Sequence, residues 1–191
     1  MKEIGIYGLD LNSNNKGCEA LAYAFLTILN EIAVQRKIVL NILYLQKLPT
    51  KKILKDGFNT KNIMDYFKPK YKYKNLNIDI LLLFHSHSRT FYNKRISKLD
   101  YVIDFTGGDS FSDIYGMKRF WDRTIFKANI IKHGVPLILG SQTIGPFNSQ
   151  KARTFAAKVI NDCHAVFVRD KMSYDYTLKI SGRRPCLTTD V

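Results

Sequence analysis

The sequence has few cysteines and no long apolar run, and each shortage excludes a class of protein. Its three cysteines share no CxxC spacing, so we expect neither a disulfide framework nor a zinc-binding cysteine cluster. No stretch of eighteen consecutive apolar residues occurs, and the N-terminal MKEIGIYGLDL is too short for the apolar core of a signal peptide. We therefore expect reduced thiols, no membrane-spanning helix and a cytoplasmic location.

Acidic residues are scarce. The 191 residues include 30 Lys and Arg but only 16 Asp and Glu, which gives a net charge of +14. Such an excess favours an anionic partner, namely nucleic acid, an acidic membrane surface or a phosphorylated or carboxylated substrate. A Lys-rich genome would give the same composition, with the lysines simply solvated. The hydrophobic fraction of 46% is ordinary for a soluble globular protein of about one domain.

Several catalytic patterns are absent. No GxGxxG follows the first apolar segment, which argues against a dinucleotide site there. None of the four histidines has a Ser or Cys partner at a recognisable spacing, so no nucleophile triad is expected. Asp104, Asp109 and Asp113 are close in sequence and could bind Mg²⁺ or act as acid and base, but we favour no metal site.

Short apolar segments alternate with longer amphipathic ones. The predicted strands are Glu3–Leu9, Ile38–Leu45, Ile78–Phe84, Tyr101–Phe105, Pro136–Leu139, Ala165–Val168 and Pro185–Asp190. The predicted helices are Cys18–Gln35, Met117–His133, Ser149–Asp162 and Ser173–Ile180. Strands that alternate with helices predict an α/β fold, and several strands are apolar on consecutive residues, as in a parallel sheet covered on both faces.

A Lys-rich excursion interrupts this alternation at residues 47–74. Tyrosines and a phenylalanine alternate with its lysines near Lys74, and a short helix is expected at Lys61–Phe67. Interleaved basic and aromatic residues can bind single-stranded nucleic acid or lie on an anionic membrane, although a solvated insertion is the more common case.

Four loops follow predicted strands, where ligands of open α/β sheets bind. Small residues there let a ligand approach the backbone, and helix N-termini favour anions. Arg169 ends one strand and can bind a carboxylate or phosphate in a bidentate manner, with Ser173 expected as the N-cap of the following helix. The other candidate residues in these loops are Asn15, Gly17, Glu19, Gly107, Gly108, Asp109, Ser110, Gln142 and Gly145.

Taken together, these loops resemble the polysaccharide pyruvyl transferase family. The matching segments, in order, are NNKGCEAL (14–21), DFTGGDSFSDIYG (104–116), PLILGSQTIGPF (136–147), VRDKMSY (168–174) and TTDV (188–191). One departure is Cys18, where many relatives have Asp.

The resemblance implies transfer of a pyruvyl group from phosphoenolpyruvate to a sugar of a cell-surface polysaccharide or its lipid-linked precursor, forming a ketal, with no cofactor. It implies a Rossmann-like parallel sheet with helices on both faces, similar to the N-terminal domain of a GT-B type transferase. Residues 1–191 would be that domain, with the second domain and its catalytic histidine outside the chain, so we expect the chain alone to be inactive.

The resemblance also implies roles for the loops. Arg169, and with it Ser173, would bind the donor, and the other candidate residues would lie on the acceptor side. Basic charge would suit peripheral contact with the anionic inner face of the cell membrane, and no nucleic acid is expected. Two alternatives remain: a GT-B glycosyltransferase that uses a nucleotide sugar, and a non-catalytic basic binding module.

Overall fold

The computed structural model describes residues 2–12, 15–47, 67–83, 94–106, 108–109 and 111–189. The strands are β1 (Glu3–Tyr7), β2 (Leu40–Lys47), β3 (Leu76–Leu83), β4 (Tyr101–Asp104), β5 (Leu137–Gln142), β6 (Ala165–Val168) and β7 (Cys186–Leu187). The helices are α1 (Lys16–Gln35), α2 (Met117–Lys132), α3 (Gln150–Asp162) and α4 (Lys171–Ser181).

The strands form one all-parallel sheet with the order β3-β2-β1-β4-β5-β6-β7. Register is continuous across the centre, where Ile4 pairs with Tyr101 and Tyr7 with Asp104. The predicted Rossmann-like α/β fold is therefore confirmed. The chain adds β2 and β3 on one side of β1 and then places β4 on the other side of β1. The strand order therefore reverses between β1 and β4.

Each face of the sheet has its own hydrophobic cluster. On one face, Leu21 and Leu26 of α1 pack with Ile6 of β1. On the other, Phe120 of α2 packs with Tyr7 of β1 and with apolar side chains of α3. The alternation of successive strand residues between faces explains why Ile6 and Tyr7 belong to different clusters.

Several boundaries differ from the sequence prediction. Helix α1 begins at Lys16 instead of Cys18, because Asn15 caps it. Strand β5 extends to Gln142, three residues beyond the predicted end, and β7 covers only Cys186–Leu187. Most of the Lys-rich excursion, including residues 61–66 of its expected helix, lies outside the described residues.

Among the described residues, α1 is the one helix whose length and composition would allow it to cross a membrane. Core helices of soluble proteins and signal sequences have the same length and composition. In this fold Leu21, Ala22 and Leu26 of α1 are buried against the sheet. The absence of a membrane-spanning helix stays a prediction.

Candidate functional site

The candidate site lies at the carboxyl edge of the sheet, around the point where the strand order reverses. From β1 the chain passes to α1 on one face, and from β4 it passes to α2 on the opposite face. The loops after β1 and β4 therefore diverge and leave a crevice between them, which is where open α/β sheets bind ligands. The strand order thus centres the crevice on the exits of β1 and β4, two of the strand ends whose loops the sequence analysis singled out.

The two diverging loops touch at their base. Gly8 has φ +77°, and a Cβ there would lie 2.4 Å from the Thr106 backbone nitrogen, so only glycine fits. The buried Gln46 side chain at the end of β2 donates to the Leu9 carbonyl at 2.7 Å and holds the first loop in place. The base of the crevice is therefore tightly packed backbone.

An ion pair that the sequence analysis missed lies beneath this base. The Lys127 ammonium lies 2.8 Å from the Asp104 carboxylate, and neither side chain has any solvent exposure. The Thr106 hydroxyl donates to the other Asp104 oxygen at 2.5 Å and accepts from Lys127. Burial lowers the pKa of Lys127, while Asp104 opposes that shift.

This ion pair supports a strained residue. Thr106 has φ +48°, which is rare for a β-branched residue. The hydrogen bonds that the Thr106 hydroxyl makes with Asp104 and Lys127 compensate for this strain. One sequence signal could have revealed the pair, because Lys127 occupies an apolar position of α2, spaced three residues after Thr124 and seven after Phe120.

Asn15 and Gly17 lie at the N-terminus of α1. The Asn15 side-chain oxygen accepts from the backbone N–H of Gly17 at 3.0 Å and of Cys18 at 3.4 Å. This is an N-cap, and it occupies two of the amides that a helix N-terminus could otherwise present to an anion. Substrate binding by Asn15 and Gly17 stays a prediction.

Glu19 is mostly buried and binds two lysines. Its carboxylate pairs with Lys16 at 3.3 Å and with Lys70 of the Lys-rich segment. The hydrogen bond from Lys70, followed by the one from Lys16, lowers the pKa of Glu19 despite its burial. The structure shows Glu19 attaching residues near Lys70 to the start of α1, and its contact with substrate stays a prediction.

The loop after β4 is only partly described, since Gly107 and Ser110 lie outside the described residues. Gly108 is buried with φ +85°, and a Cβ there would lie 3.5 Å from Arg169 Nη1 and 3.6 Å from Leu21. The Asp109 carboxylate accepts from the Tyr115 hydroxyl at 2.8 Å. The positive φ favours glycine at position 108, and the Gly108 backbone lies next to the Arg169 guanidinium.

Gln142 and Gly145 shape the exit of β5, next to the exit of β4. Gln142 was expected in a loop, but it is the last residue of β5 and is fully buried, with its side-chain nitrogen 2.7 Å from the Asp104 carbonyl. Local composition could not reveal this, because the bond joins two strand ends 38 residues apart. Gly145 has φ +75°, and a Cβ there would lie 2.4 Å from the Tyr176 ring.

Arg169 extends from the end of β6 toward the same edge. Its Nε donates to the Thr143 hydroxyl at 2.8 Å, and that hydroxyl donates to Asp170 Oδ2 at 3.2 Å. Burial acts to raise the pKa of Asp170, but hydrogen bonds from Ser173 and Thr143 outweigh it and lower the pKa. A fixed carboxylate therefore orients the guanidinium through Thr143.

The sequence suggested Ser173 as the N-cap of α4, but the N-cap is Asp170. The Asp170 carboxylate accepts from the Ser173 backbone N–H at 2.7 Å. The Ser173 hydroxyl is buried, donates to Asp170 and accepts from the Ile144 N–H at 3.1 Å. Ser173 thus positions the loop after β5, and its contact with the donor stays a prediction.

The three acids considered for a metal have separate partners. Asp104 pairs with Lys127, Asp109 contacts Tyr115, and Asp113 accepts from the backbone N–H groups of Asn148 and Ser149. In the part of the chain that the structure describes, no three His, Cys, Asp or Glu side chains come close enough to hold a metal ion.

The Cys18 thiol shows how the strand-end loops converge. Burial is the main cause of its raised pKa; the carboxylates of Asp109 and Asp10 add to the shift, and the guanidiniums of Arg119 and Arg169 oppose it. Charged residues at the exits of β1, β4 and β6 and on α2 therefore act together on the first turn of α1. The crevice contains both carboxylates and guanidiniums, so it can bind hydroxyls as well as anions.

Comparison with known proteins identifies the family of this chain. A sequence model described as polysaccharide pyruvyl transferase matches residues 15–191, which include α1 and all the strand-end loops from β2 onward. No curated protein and no solved structure matches the chain. The match covers far more than half of the sequence, and the chain therefore belongs to the polysaccharide pyruvyl transferase family.

Proposed function

We propose that this protein transfers a pyruvyl group from phosphoenolpyruvate to two hydroxyls of a sugar in a surface polysaccharide or its lipid-linked precursor. Family membership supports a transferase, and the orientation of Arg169 is the observation that carries the choice of donor. Phosphoenolpyruvate has a carboxylate and a phosphate, and a guanidinium fixed by Thr143 and adjacent to Gly108 suits either group.

The chemistry divides between binding and proton transfer. A proton adds to the methylene carbon of phosphoenolpyruvate, one sugar hydroxyl attacks the adjacent carbon, and a second hydroxyl replaces phosphate, which leaves. Of the two protons that the hydroxyls release, one restores the proton donor and the other leaves with the phosphate. Arg169 would bind the anionic donor and stabilise the departing phosphate. We propose that the proton donor is supplied by a second α/β domain that faces this edge, as in a GT-B type arrangement.

The donor is tested by ligand protection and by a conservative substitution. Phosphoenolpyruvate should raise the thermal unfolding midpoint of the protein, whereas a nucleotide sugar should not. Arg169→Lys keeps the charge but removes the planar guanidinium with its paired N–H donors. It should therefore weaken phosphoenolpyruvate binding by roughly tenfold or more, while the thermal unfolding midpoint of the ligand-free protein changes little.

Arg184 provides the matched control. It is exposed and precedes β7, so it lies toward the opposite edge of the sheet. Arg184→Lys should leave phosphoenolpyruvate binding unchanged. Protection by a nucleotide sugar but not by phosphoenolpyruvate would overturn the proposal in favour of a glycosyltransferase.

A further inference from the structure

Tyr115 stands out among the residues at the crevice. It lies between the loop after β4 and the start of α2, and 47% of its surface is exposed although the ring is large and apolar. The preceding Ile114 is 52% exposed. Neither residue contributes to the donor contacts described above, so both present apolar surface to a second ligand at this edge.

The Tyr115 ring is held in one orientation. Its hydroxyl donates to Asp109 Oδ2 at 2.8 Å, and the Arg119 guanidinium carbon lies 4.7 Å from the ring centroid. The hydrogen bond to Asp109 raises the pKa of Tyr115, so the phenol stays protonated and remains a donor. A ring fixed in this way loses little conformational freedom when a ligand packs on it.

The same residues lie beside the proposed donor site. Asp109 directly follows Gly108, which adjoins the Arg169 guanidinium, and the Cys18 thiol is influenced by Asp109, Arg119 and Arg169 together. A carboxylate repels a phosphate but accepts hydrogen bonds from hydroxyls. Asp109 therefore favours an uncharged, hydroxyl-bearing ligand next to the anion that Arg169 would bind.

We propose that Tyr115, Asp109 and Arg119 form the subsite for the acceptor sugar ring. The apolar C–H face of a pyranose packs on the face of the Tyr115 ring opposite the Arg119 guanidinium, and its hydroxyls bond to Asp109. A pyranose has both an apolar face and a rim of hydroxyls, which is the combination that these three side chains match. This assignment rests on the proposed function and adds the acceptor's position.

Saturation-transfer NMR tests the subsite with three probes, the methyl β-D-glycosides of glucose, galactose and mannose. At least one should receive saturation from the wild-type protein. Tyr115→Leu should weaken its binding by roughly two- to tenfold through loss of the aromatic face. Tyr115→Phe keeps the aromatic face and should lose less affinity for the glycoside. Tyr71→Leu alters a 63% exposed tyrosine that packs against Tyr23 of α1, and should change nothing.

The outcomes separate this inference from the donor assignment. No binding of any probe to the wild-type protein, or equal binding by Tyr115→Leu, would overturn the subsite. If Tyr115→Leu does not fold, Arg119→Gln replaces it, with the same weakening expected and unchanged binding counting against the subsite. Phosphoenolpyruvate protection should persist in these variants, whereas its absence from the wild-type protein would overturn the donor assignment alone.

Discussion

At the scale of single residues, the buried Lys127–Asp104 pair is the least expected feature of the protein. A lysine with no exposed surface is rare, and it persists here because Asp104 and Thr106 satisfy its charge and hydrogen bonds. The pair lies under the loop after β4 and supports the positive φ of Thr106. It therefore stabilises the base of the crevice without reaching its surface.

Breaking this pair on one side should be costly. Lys127→Met leaves the Asp104 carboxylate buried without its cation and should reduce the free energy of unfolding by roughly 3–5 kcal/mol. The double variant with Asp104→Asn should recover a large part of that loss, because the uncompensated charge is gone. Urea unfolding of the single and double variants measures the coupling, and strictly additive losses would contradict the ion-pair explanation.

At the scale of elements, hydrogen bonds between strand ends set the shape of the edge. Gln46 at the end of β2 bonds to the loop after β1, and Gln142 at the end of β5 bonds to the end of β4. In the same way, Asp170 caps α4 and reaches Thr143 after β5. Each bond fixes one strand exit relative to its neighbour.

The cap of α4 should affect both stability and donor binding. Asp170→Ala removes the bond to the Ser173 N–H and should lower the free energy of unfolding by about 0.5–2 kcal/mol. It also removes the carboxylate that holds Thr143, so phosphoenolpyruvate binding should weaken even where the protein is fully folded. Asp170→Asn preserves capping and serves as the control; equal losses of stability in both variants would argue against the cap.

At the scale of the whole molecule, several carboxylates join segments that are distant in sequence. Asp100 binds Lys2 and the Glu3 N–H, and Glu19 binds Lys70. The pKa of Asp100 is lowered by the hydrogen bond from Lys2 and then by that from Glu3. The pKa values of Asp170 and Glu19 are lowered as well.

Stability should therefore fall in acid. Each of these three carboxyls has a lower pKa when folded than its ordinary value of 3.8 for Asp or 4.5 for Glu, so the unfolded chain takes up protons first as the pH drops. Their contribution is complete above those ordinary values and is lost as the pH falls through the folded pKa values. Asp10, whose pKa burial raises, acts in the opposite direction. Urea midpoints measured between neutral and strongly acidic pH should fall below about pH 4.5, and a flat profile would contradict this.

The difference between local patterns and long-range contacts also separates what the sequence could predict from what it could not. Alternating apolar and amphipathic segments predicted the α/β fold, and α2 begins at Met117 as expected, because helix and strand periodicity are local properties. Asn15 and Asp170 were missed as caps because they lie just outside the apolar periodicity that marked each helix.

By itself, the sequence determined the class of fold, the approximate bounds of its elements and the strand-end loops that match one family, since all of these depend on neighbouring residues. Only the tertiary structure decided the strand order, and with it the crevice between β1 and β4. It also decided that Lys127 and Gln142 are buried while Arg169 lies beside Gly108. These outcomes depend on contacts between residues far apart in the chain, which no local pattern contains.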